Sequence, residues 1–308
     1  MNFQQLRIVS ETIRQNFNLT RVANALFTSQ SGISKHIKDL EDELNVELFI
    51  RKGKRLTGLT PPGRELIKIV ERVLLDTKNI RRLAEEFSQL DQGEFIVATT
   101  HTQAQYALPD VIANFKKIFP KVHLVLHQSS PNEIVSMLLD GQADIGIATE
   151  ALGNVTDLVS FPYYTWHHAI IVPAGHPLQS CLPLTIKAIA QFPIITYHHG
   201  FTGRSRIDQA FAEAGLTPDI AMSALDADVI KTYVNLGLGI GIIASVSFAE
   251  EQATQLIKLD AAHLFAQNTT YISVRRNHYL RNYGYRFIEL CLPTLTEAII
   301  REGVQHEV

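Results

Sequence analysis

Five side chains that carry hydroxyl or amide groups lie where strands of this chain are expected to end: Thr100, Thr102, Gln103, Thr149 and Thr202. The first three open a helix, whose free backbone N–H groups attract anions. The ends of strands in open α/β sheets are also where such folds bind ligands. No lysine lies in these segments, so an anion would be held by neutral donors, which avoids burying an unpaired charge. Each threonine taken alone is better explained as a cap or turn residue.

The only tryptophan, Trp166, lies in a segment predicted to connect two halves of the α/β region. It could line a ligand pocket between them or fill the core, and its position favours neither interpretation. We include it among the candidate ligand-binding residues.

A second group of side chains could read DNA. Gln30, Ser34, Lys35 and Lys38 lie along one side of a predicted helix. Gln30 can make two hydrogen bonds to adenine and Lys35 can reach guanine acceptors in the major groove, whereas Lys38 is expected to contact phosphate. Ser34 and Lys38 are about equally well explained as exposed helix residues, because half or more of such contacts go to the DNA backbone.

A basic hairpin is predicted over residues 49–60, with its turn at Gly53 and with Arg51 and Arg55 on its two arms. A run of charges is usually a solvated loop. Directly after a helix-turn-helix, however, a basic hairpin is better interpreted as a wing that touches phosphates or the minor groove.

Three helices fit into the first 45 residues. Apolar residues from Phe3 to Phe17 recur at helical spacing, Asn18 caps a second helix over 20–26, and Ser29 caps a third. Two short helices joined by a brief turn form a helix-turn-helix. We therefore predict an all-α winged helix-turn-helix domain over residues 1–60.

A long helix is predicted over residues 61–90, with Thr60 as its N-cap and Pro61 at its first position. Its apolar positions alternate in steps of four and three, which is typical of a coiled-coil seam between two copies. The alternative is an amphipathic helix that lies on its own domain. The seam consists of Leu66, Val70, Val73, Thr77, Ile80, Ala84 and Phe87. Residues 91–93 are expected to end the helix as a hinge.

From residue 94 onwards, predicted strands and helices alternate, which indicates α/β organisation with largely parallel sheets. Single helices are expected over 101–119 and 283–300, and crossovers near 161–166 and 265–269. The chain would then form two subdomains with a cleft between them, one from residues 91–163 and 267–301, the other from 164–266.

Other chemistries are weaker. Neighbouring residues on a strand point to opposite faces, so neither His167–His168 nor His198–His199 can clasp one metal ion. Capping explains Asp226 and Asp228, and the sequence has no nucleophile elbow, phosphate loop or paired-carboxylate site. We expect no enzyme, metal or cofactor. The first 15 residues lack a signal core and no apolar run is long enough to span a membrane, so a cytoplasmic protein is expected.

The N-terminal residues resemble the LysR-type transcriptional regulators. The match runs from Asn18 to Gly63 and includes Ala23, Leu26, Ser29-Gln30, Ile33-Ser34-Lys35, Ile37, Leu40-Glu41, Leu44, Leu48-Phe49, Arg51, Leu59-Thr60 and Gly63. Ser31 and Pro62 depart from the family pattern, but both lie in first helical turns, which tolerate either residue. The resemblance implies two periplasmic-binding-protein-like effector subdomains behind the winged domain and the linker helix.

Within that family, the second half is similar to the subgroup that regulates cysteine biosynthesis and to its relative that responds to sulfonate or sulfate supply. The segments concerned are 98–104, 106–109, 147–152, 200–205 and 226–233. The resemblance implies a homotetrameric activator that binds double-stranded promoter DNA and RNA polymerase. The implied inducer is N-acetylserine or O-acetylserine, opposed by sulfate or thiosulfate, and the implied binding positions are Thr100, Thr102, Gln103, Thr149 and Thr202. A sulfate-starvation regulator that binds adenylyl sulfate and, from another class, a transport-type anion-binding protein are the alternatives.

The distribution of charge agrees with this division. The whole chain has a net charge of −3, which would disfavour a nucleic-acid partner. Residues 1–90, however, hold 15 basic and 11 acidic residues, whereas residues 91–308 hold 13 and 20, so the net charges of the two parts are +4 and −7. A mildly basic DNA-binding segment is therefore predicted ahead of an acidic sensor.

Overall fold

The computed structural model describes residues 1–53, 55–88, 92–181, 183–248 and 255–305. The chain forms two compact units, Met1–Glu85 and Glu86–Val308. The start of the predicted hinge, residue 91, lies outside the described residues.

The first unit begins with three helices that are set by local capping. They are α1 (Phe3–Arg14), α2 (Leu19–Ala25) and α3 (Gln30–Leu44). Asn18 accepts hydrogen bonds from the backbone of α2, and Ser29 accepts one from Gly32 of α3, so both predicted caps are confirmed. The predicted first helix is too long by three residues, because Asn16 and Phe17 have positive φ angles of 49° and 63° that end it.

The predicted wing is confirmed as the antiparallel strands β1 (Phe49–Lys52) and β2 (Arg55–Leu59). Gly53 has a φ of 62°, a left-handed conformation that glycine adopts without strain. The buried base of the hairpin packs on the three helices through Phe49 and Leu56.

The long helix α4 spans Pro61–Ser88, and the Thr60 hydroxyl accepts a hydrogen bond from the Gly63 N–H as predicted. Its first turns cover their own domain, since Leu66 packs on the helix-turn-helix core and Val70 is buried. Farther along, Ile80 and Phe87 are exposed. The first part of the apolar seam therefore packs on its own domain, whereas the later part is exposed, as a seam between two copies would be in a single chain.

The second unit contains two five-stranded sheets. The first sheet has the order β4-β3-β5-β12-β6 and the second has the order β11-β7-β10-β8-β9. We call the parts built on them the first lobe and the second lobe. The strands of the first lobe are β3 (Gly93–Thr99), β4 (Val122–Gln128), β5 (Ile145–Thr149), β6 (Leu158–Trp166) and β12 (Asn268–Arg275). Those of the second lobe are β7 (His168–Pro173), β8 (Ile194–Tyr197), β9 (Ile220–Ala224), β10 (Ile240–Ala244) and β11 (Leu256–Asp260).

Helices cover both faces of each sheet. Neighbouring residues of β3 belong to different core clusters, Val97 to one and Ala98 to the other, because side chains alternate along a strand. Ile242 and Ile243 of β10 divide in the same way in the second lobe. The helices are α5 (His101–Tyr106), α6 (Pro109–Ile118), α7 (Pro131–Leu139), α8 (Ile186–Ile189), α9 (Arg204–Glu213), α10 (Ala227–Asn235), α11 (Asn282–Cys291) and α12 (Glu297–Gln305).

The predicted α/β class is confirmed, with three corrections. The helix expected over 101–119 breaks into α5 and α6, since Pro109 has no N–H group to continue the hydrogen bonds of α5 and instead occupies the first position of α6. The helix expected over 283–300 also breaks, with Pro293 between α11 and α12. The sheets are mixed instead of largely parallel, because β12 and β7 run antiparallel to both of their neighbours.

The chain passes between the lobes twice. It leaves the first lobe at the end of β6 and starts β7 at His168, and it returns to start β12 at Asn268. Within the part of the chain that the structure describes, no helix has the length and apolar character needed to cross a membrane.

Candidate functional site

The five candidate ligand residues are all buried. Thr100, Thr102, Gln103, Thr149 and Thr202 are 5%, 1%, 1%, 5% and 4% exposed. Polar residues of these types are mostly found on protein surfaces. Within the described residues, Thr100 and Thr149 make no side-chain cap hydrogen bond to the helices that follow them. A role as a helix cap therefore does not account for a threonine at position 100 or at position 149.

A cavity of about 230 Å³ brings Thr149 and Thr202 together. Thr149 belongs to the first lobe and Thr202 to the second, so the cavity lies in the cleft between the lobes. It is lined by Pro131, Asn132, Thr149, Ala151 and residues 200–205. Buried Tyr197, whose hydroxyl accepts a hydrogen bond from the Ala244 N–H, interacts with Thr102 across the cleft. Burial raises the pKa of Tyr197 to about 12, so the phenol stays neutral.

The Gln103 amide is held by side chains of two strands of the first lobe. The Tyr164 hydroxyl donates to Gln103 Oε1, and Gln103 Nε2 donates to Thr270 Oγ1 over 3.4 Å. The Trp166 indole N–H donates to the same Thr270 oxygen over 3.1 Å. Trp166 is 2% exposed and, like Thr100, Thr102 and Gln103, is not among the described residues that line the 230 Å³ cavity.

The turn that carries Thr202 has an unusual backbone. Thr202 has a φ of 37°. Residues other than glycine rarely adopt this value, which costs on the order of 1 kcal/mol. Gly203, with a φ of 67°, follows it and is the N-cap of α9. Such strained residues persist where the surrounding structure fixes them, and they concentrate at ligand sites.

A charged network that the sequence did not reveal also joins the lobes. The Asp228 carboxylate on α10 accepts hydrogen bonds from His101 Nε2 of α5 at 2.9 Å and from the Tyr106 hydroxyl. Lys231 Nζ lies 2.8 Å from the same carboxylate and donates to the Tyr106 hydroxyl at 2.7 Å. We call these four residues the latch. Tyr106 and Asp228 are 122 positions apart, so no spacing pattern relates them.

The latch shifts the titration of its members. Burial by itself would raise the pKa of Asp228, but the hydrogen bonds from its three partners outweigh it and hold the pKa at about 2. Burial by itself would lower the pKa of His101, but hydrogen bonds to Asp228 and Gln128 outweigh it and raise the pKa above 6.5. Both groups are therefore biased towards their charged forms.

The structure corrects one of the two predicted aspartate roles. Asp226 is the N-cap of α10 and accepts a hydrogen bond from the Val229 N–H, as predicted. Asp228 does not cap the helix but bonds across the cleft. Its carboxylate, the Asp226 carboxylate and His101 approach within 4.8 Å of one another. Lys231 already neutralises Asp228 there, so this is a poor cation site.

The candidate DNA-binding side chains lie on the helix-turn-helix and the wing. Gln30, Lys35 and Lys38 are exposed on α3, and Ser34 is half-buried. Gln30 and Arg55 line the same polar hollow, so the start of α3 and the wing are adjacent. Arg51 bonds to Glu41 at 2.6 Å, and the same carboxylate accepts the Leu48 and Phe49 N–H groups. Arg51 thus also braces the base of the wing.

Comparison with known proteins identifies the class of regulator. The family model described as "Bacterial regulatory helix-turn-helix protein, lysR family" matches residues 3–64, and the one described as "LysR substrate binding domain" matches residues 88–296. The chain therefore belongs to the LysR family of DNA-binding transcriptional regulators.

Three similar proteins place the chain within the family. It is 56% identical to the transcriptional regulator SsuR of Burkholderia cenocepacia over 99% of this chain and 100% of that protein. It is 49% identical to CysB of the same organism over 100% of this chain and 98% of that protein. The crystal structure of the cofactor-binding domain of the Cbl transcriptional regulator has a TM-score of 0.68 and 51% identity. That match covers 70% of this chain and 95% of the Cbl domain.

Proposed function

We propose that this LysR-family regulator controls genes of sulfur assimilation and cysteine biosynthesis in response to small molecules bound between its lobes. The inducer in this proposal is N-acetylserine or O-acetylserine, and sulfate or thiosulfate opposes it. The observation that carries the proposal is the burial of five neutral hydrogen-bonding side chains at strand and helix ends on both sides of one cleft. Buried donors that lack a full set of protein partners stabilise a bound anion without the cost of burying a cation.

The DNA-binding half of the proposal rests on α3 and the wing. Gln30 and Lys35 would contact base edges in the major groove, and Ser34, Lys38, Arg51 and Arg55 would contact chiefly the DNA backbone. The exposed part of α4, which includes Ile80 and Phe87, would pair with a second copy, and two such dimers would form the tetramer. RNA polymerase is the expected partner at an activated promoter.

Ligand control would follow from the arrangement of the lobes, which correspond to residues 91–163 with 267–301 and to residues 164–266. A ligand that contacts Thr149 in the first lobe and Thr202 in the second favours the closed cleft over the open one. The regulatory output depends on this difference in affinity and not on binding as such. Closure would change how effector domains associate, and hence the bend imposed on DNA.

A second candidate is a regulator of sulfonate and sulfate-starvation genes that binds adenylyl sulfate. Two observations favour it. The chain is 56% identical to SsuR and 49% identical to CysB from one organism, so it is not more similar to CysB than to other regulators of the group. In addition, Phe201 lines the cavity beside Thr149 and Thr202. An aromatic ring next to anion donors suits a base attached to a sulfate group.

Calorimetric titration of the full-length protein tests the proposal and separates the two candidates. The titrants are O-acetylserine, N-acetylserine, sulfate, thiosulfate and adenylyl sulfate, each with wild-type protein and with Thr102→Ala. We expect at least one to bind and Thr102→Ala to weaken it by about tenfold, the equivalent of about 1.4 kcal/mol. Unchanged affinities in Thr102→Ala would refute the site. A gel shift with promoter DNA, with and without the bound titrant, then distinguishes a regulator from a transport-type binding protein.

A further inference from the structure

We infer that His168 and Asn268 are positioning residues of the ligand site, which hold the turn that presents Thr202. This inference rests on the proposed anion site at that turn. His168 is the first residue of β7 and Asn268 is the first residue of β12, so each stands where the chain has just passed from one lobe to the other. Both side chains are fully buried, at 1% and 0% exposure.

The hydrogen bonds fix the orientation of both side chains. His168 Nε2 lies 3.4 Å from the Thr202 carbonyl oxygen, which can only accept, so Nε2 must carry the proton. Burial lowers the pKa of His168 to about 4, and the ring is therefore neutral with Nδ1 as an acceptor. Asn268 Nδ2 lies 3.5 Å from that nitrogen and donates to it. The chain of donors thus runs from Asn268 through His168 to the backbone of Thr202.

The two side chains also support the turn sterically. A Cβ atom at Gly203 would lie 2.5 Å from Asn268 Oδ1 and 2.9 Å from His168 Cε1, so the turn rests directly on this pair. Thr202 keeps its φ of 37° immediately before this contact. The pair therefore fills the space into which the turn would otherwise relax.

The pair is not explained as ordinary core packing. Asn268 Oδ1 is buried, and no donor among the described residues reaches it. A buried acceptor without a partner is costly, and apolar residues of similar shape could fill this part of the core without that cost. Two buried polar side chains directly below a strained ligand-site residue are instead what positioning that residue requires.

His168 also contacts the support of the other half of the site. The Trp166 ring packs edge-on against the His168 ring with centroids 5.1 Å apart, and Trp166 shares Thr270 with Gln103. The imidazole consequently lies between the element that fixes Gln103 and the turn that fixes Thr202. A loss of the His168 donor should therefore weaken the binding of ligands that engage Thr202.

The test uses two substitutions that differ only in where they place an amide. In His168→Gln the amide nitrogen can occupy the place of Nε2 and donate to the Thr202 carbonyl. In His168→Asn the shorter side chain reaches only the place of Nδ1 and leaves that carbonyl without its donor. Asn268→Ser, which replaces the Asn268 amide with a shorter hydroxyl side chain, and Thr102→Ala, which perturbs the site without touching the pair, complete the set.

Full-length proteins are titrated with sodium sulfate and with N-acetylserine by calorimetry, and melting temperatures are recorded in parallel. We expect His168→Gln to bind within about twofold of wild type and His168→Asn to bind about tenfold more weakly, with Asn268→Ser between them. A wild-type affinity in His168→Asn would overturn the inference. Equal weakening in both His168 variants, with equally lowered melting temperatures, would also overturn it, because packing alone would then account for the pair.

A spectroscopic measurement keeps the inference testable if a variant does not fold. In a histidine-selective nitrogen-15 spectrum of the wild-type protein, the His168 ring must be neutral at about pH 6 with its proton on Nε2. The signal is assigned by its absence from the spectrum of His168→Gln or, if that variant does not fold, from the spectrum of His168→Asn. A proton on Nδ1 would overturn the inference. If the wild-type protein binds neither titrant, the proposed function fails. If the wild type binds and Thr102→Ala weakens binding, an overturning result for the His168 variants concerns only the His168–Asn268 pair.

Discussion

Replacing Asp228 with asparagine tests whether the latch holds the two lobes together. The substitution keeps the shape of the side chain but removes the negative charge that His101 and Lys231 face at 2.9 and 2.8 Å. It also introduces an amide NH₂ group. The hydrogens of that group face His101 and Lys231, which are themselves hydrogen-bond donors. Because the Asp228 side chain is 44% exposed, solvent screens these contacts, and each is expected to contribute only about 0.2–1 kcal/mol.

The expected total is a loss of about 1 kcal/mol in the free energy of unfolding of the second unit. For a unit of this size, that corresponds to a melting temperature lower by about 2–4 °C. If the latch forms only when the cleft is closed, the same free energy shifts the closure equilibrium by about fivefold. Differential scanning calorimetry measures the first quantity, and the affinity for sulfate reports the second.

The loss should depend on pH in a defined direction. The raised pKa of His101 means that its contribution is complete below its ordinary value of 6.5 and disappears as the pH rises through the raised value. The depressed pKa of Asp228 means that its contribution is present above the ordinary value of 3.8 and is lost as the pH falls towards about 2. The difference in the free energy of unfolding between wild type and Asp228→Asn is therefore largest between the ordinary pKa values of 3.8 and 6.5. It becomes smaller at higher pH.

Asp110→Asn is the matched control, because Asp110 is also an acidic residue in the first turn of a helix, α6, and is exposed. It should change stability by less than about 0.5 kcal/mol. Equal effects of the two substitutions at every pH would refute the latch. A difference that persists unchanged from about pH 5 to about pH 9 would refute the part played by His101.

Three further outcomes are expected. Lys35→Ala should weaken operator binding by about 1–3 kcal/mol and broaden the sequence preference. Arg51→Ala should instead weaken the binding of cognate and scrambled DNA alike in gel shifts. Equal losses of affinity for both DNAs in both variants would contradict this division. Ile80→Glu should lower the oligomeric state of the tetramer in light scattering, with the exposed Arg72→Glu as control; an unchanged tetramer would favour a helix that serves only its own domain. Gly203→Ala should lower the melting temperature by the equivalent of about 2 kcal/mol, since its Cβ would meet atoms at 2.5 and 2.9 Å and its φ is positive; an unchanged value would show that the turn can relax.

Local signals predicted the elements of this protein well. Asn18, Ser29 and Thr60 each cap a helix through a hydroxyl or amide that bonds within three residues, so the information lies in a short stretch of sequence. The errors arose where an apolar pattern continued across a backbone constraint. The periodicity over 101–119 continues through Leu108, although the proline that follows it ends one helix and starts another.

The sequence predicted that residues 267–301 return to the first lobe, but not which strands and side chains meet there. The strand order β5-β12-β6 brings together segments more than 100 residues apart, and only that pairing makes the sheet mixed. The latch and the His168–Asn268 pair are of the same kind, since their members come from different lobes or different crossings. The burial of Thr100 and Thr149 could be anticipated from their place at strand ends, but the absence of a capping bond among the described residues could not.

The position of β12 has a consequence for synthesis on the ribosome. This strand lies between β5 and β6 in the first lobe, yet it is the last strand to be made, after the whole second lobe. The second lobe is one continuous segment and can fold as soon as it emerges. The first lobe must wait with two unpaired strand edges, which are sites for aggregation until residues 268–275 fill the gap. A chain interrupted before residue 268 would therefore display a complete DNA-binding unit attached to a sensor with an open sheet.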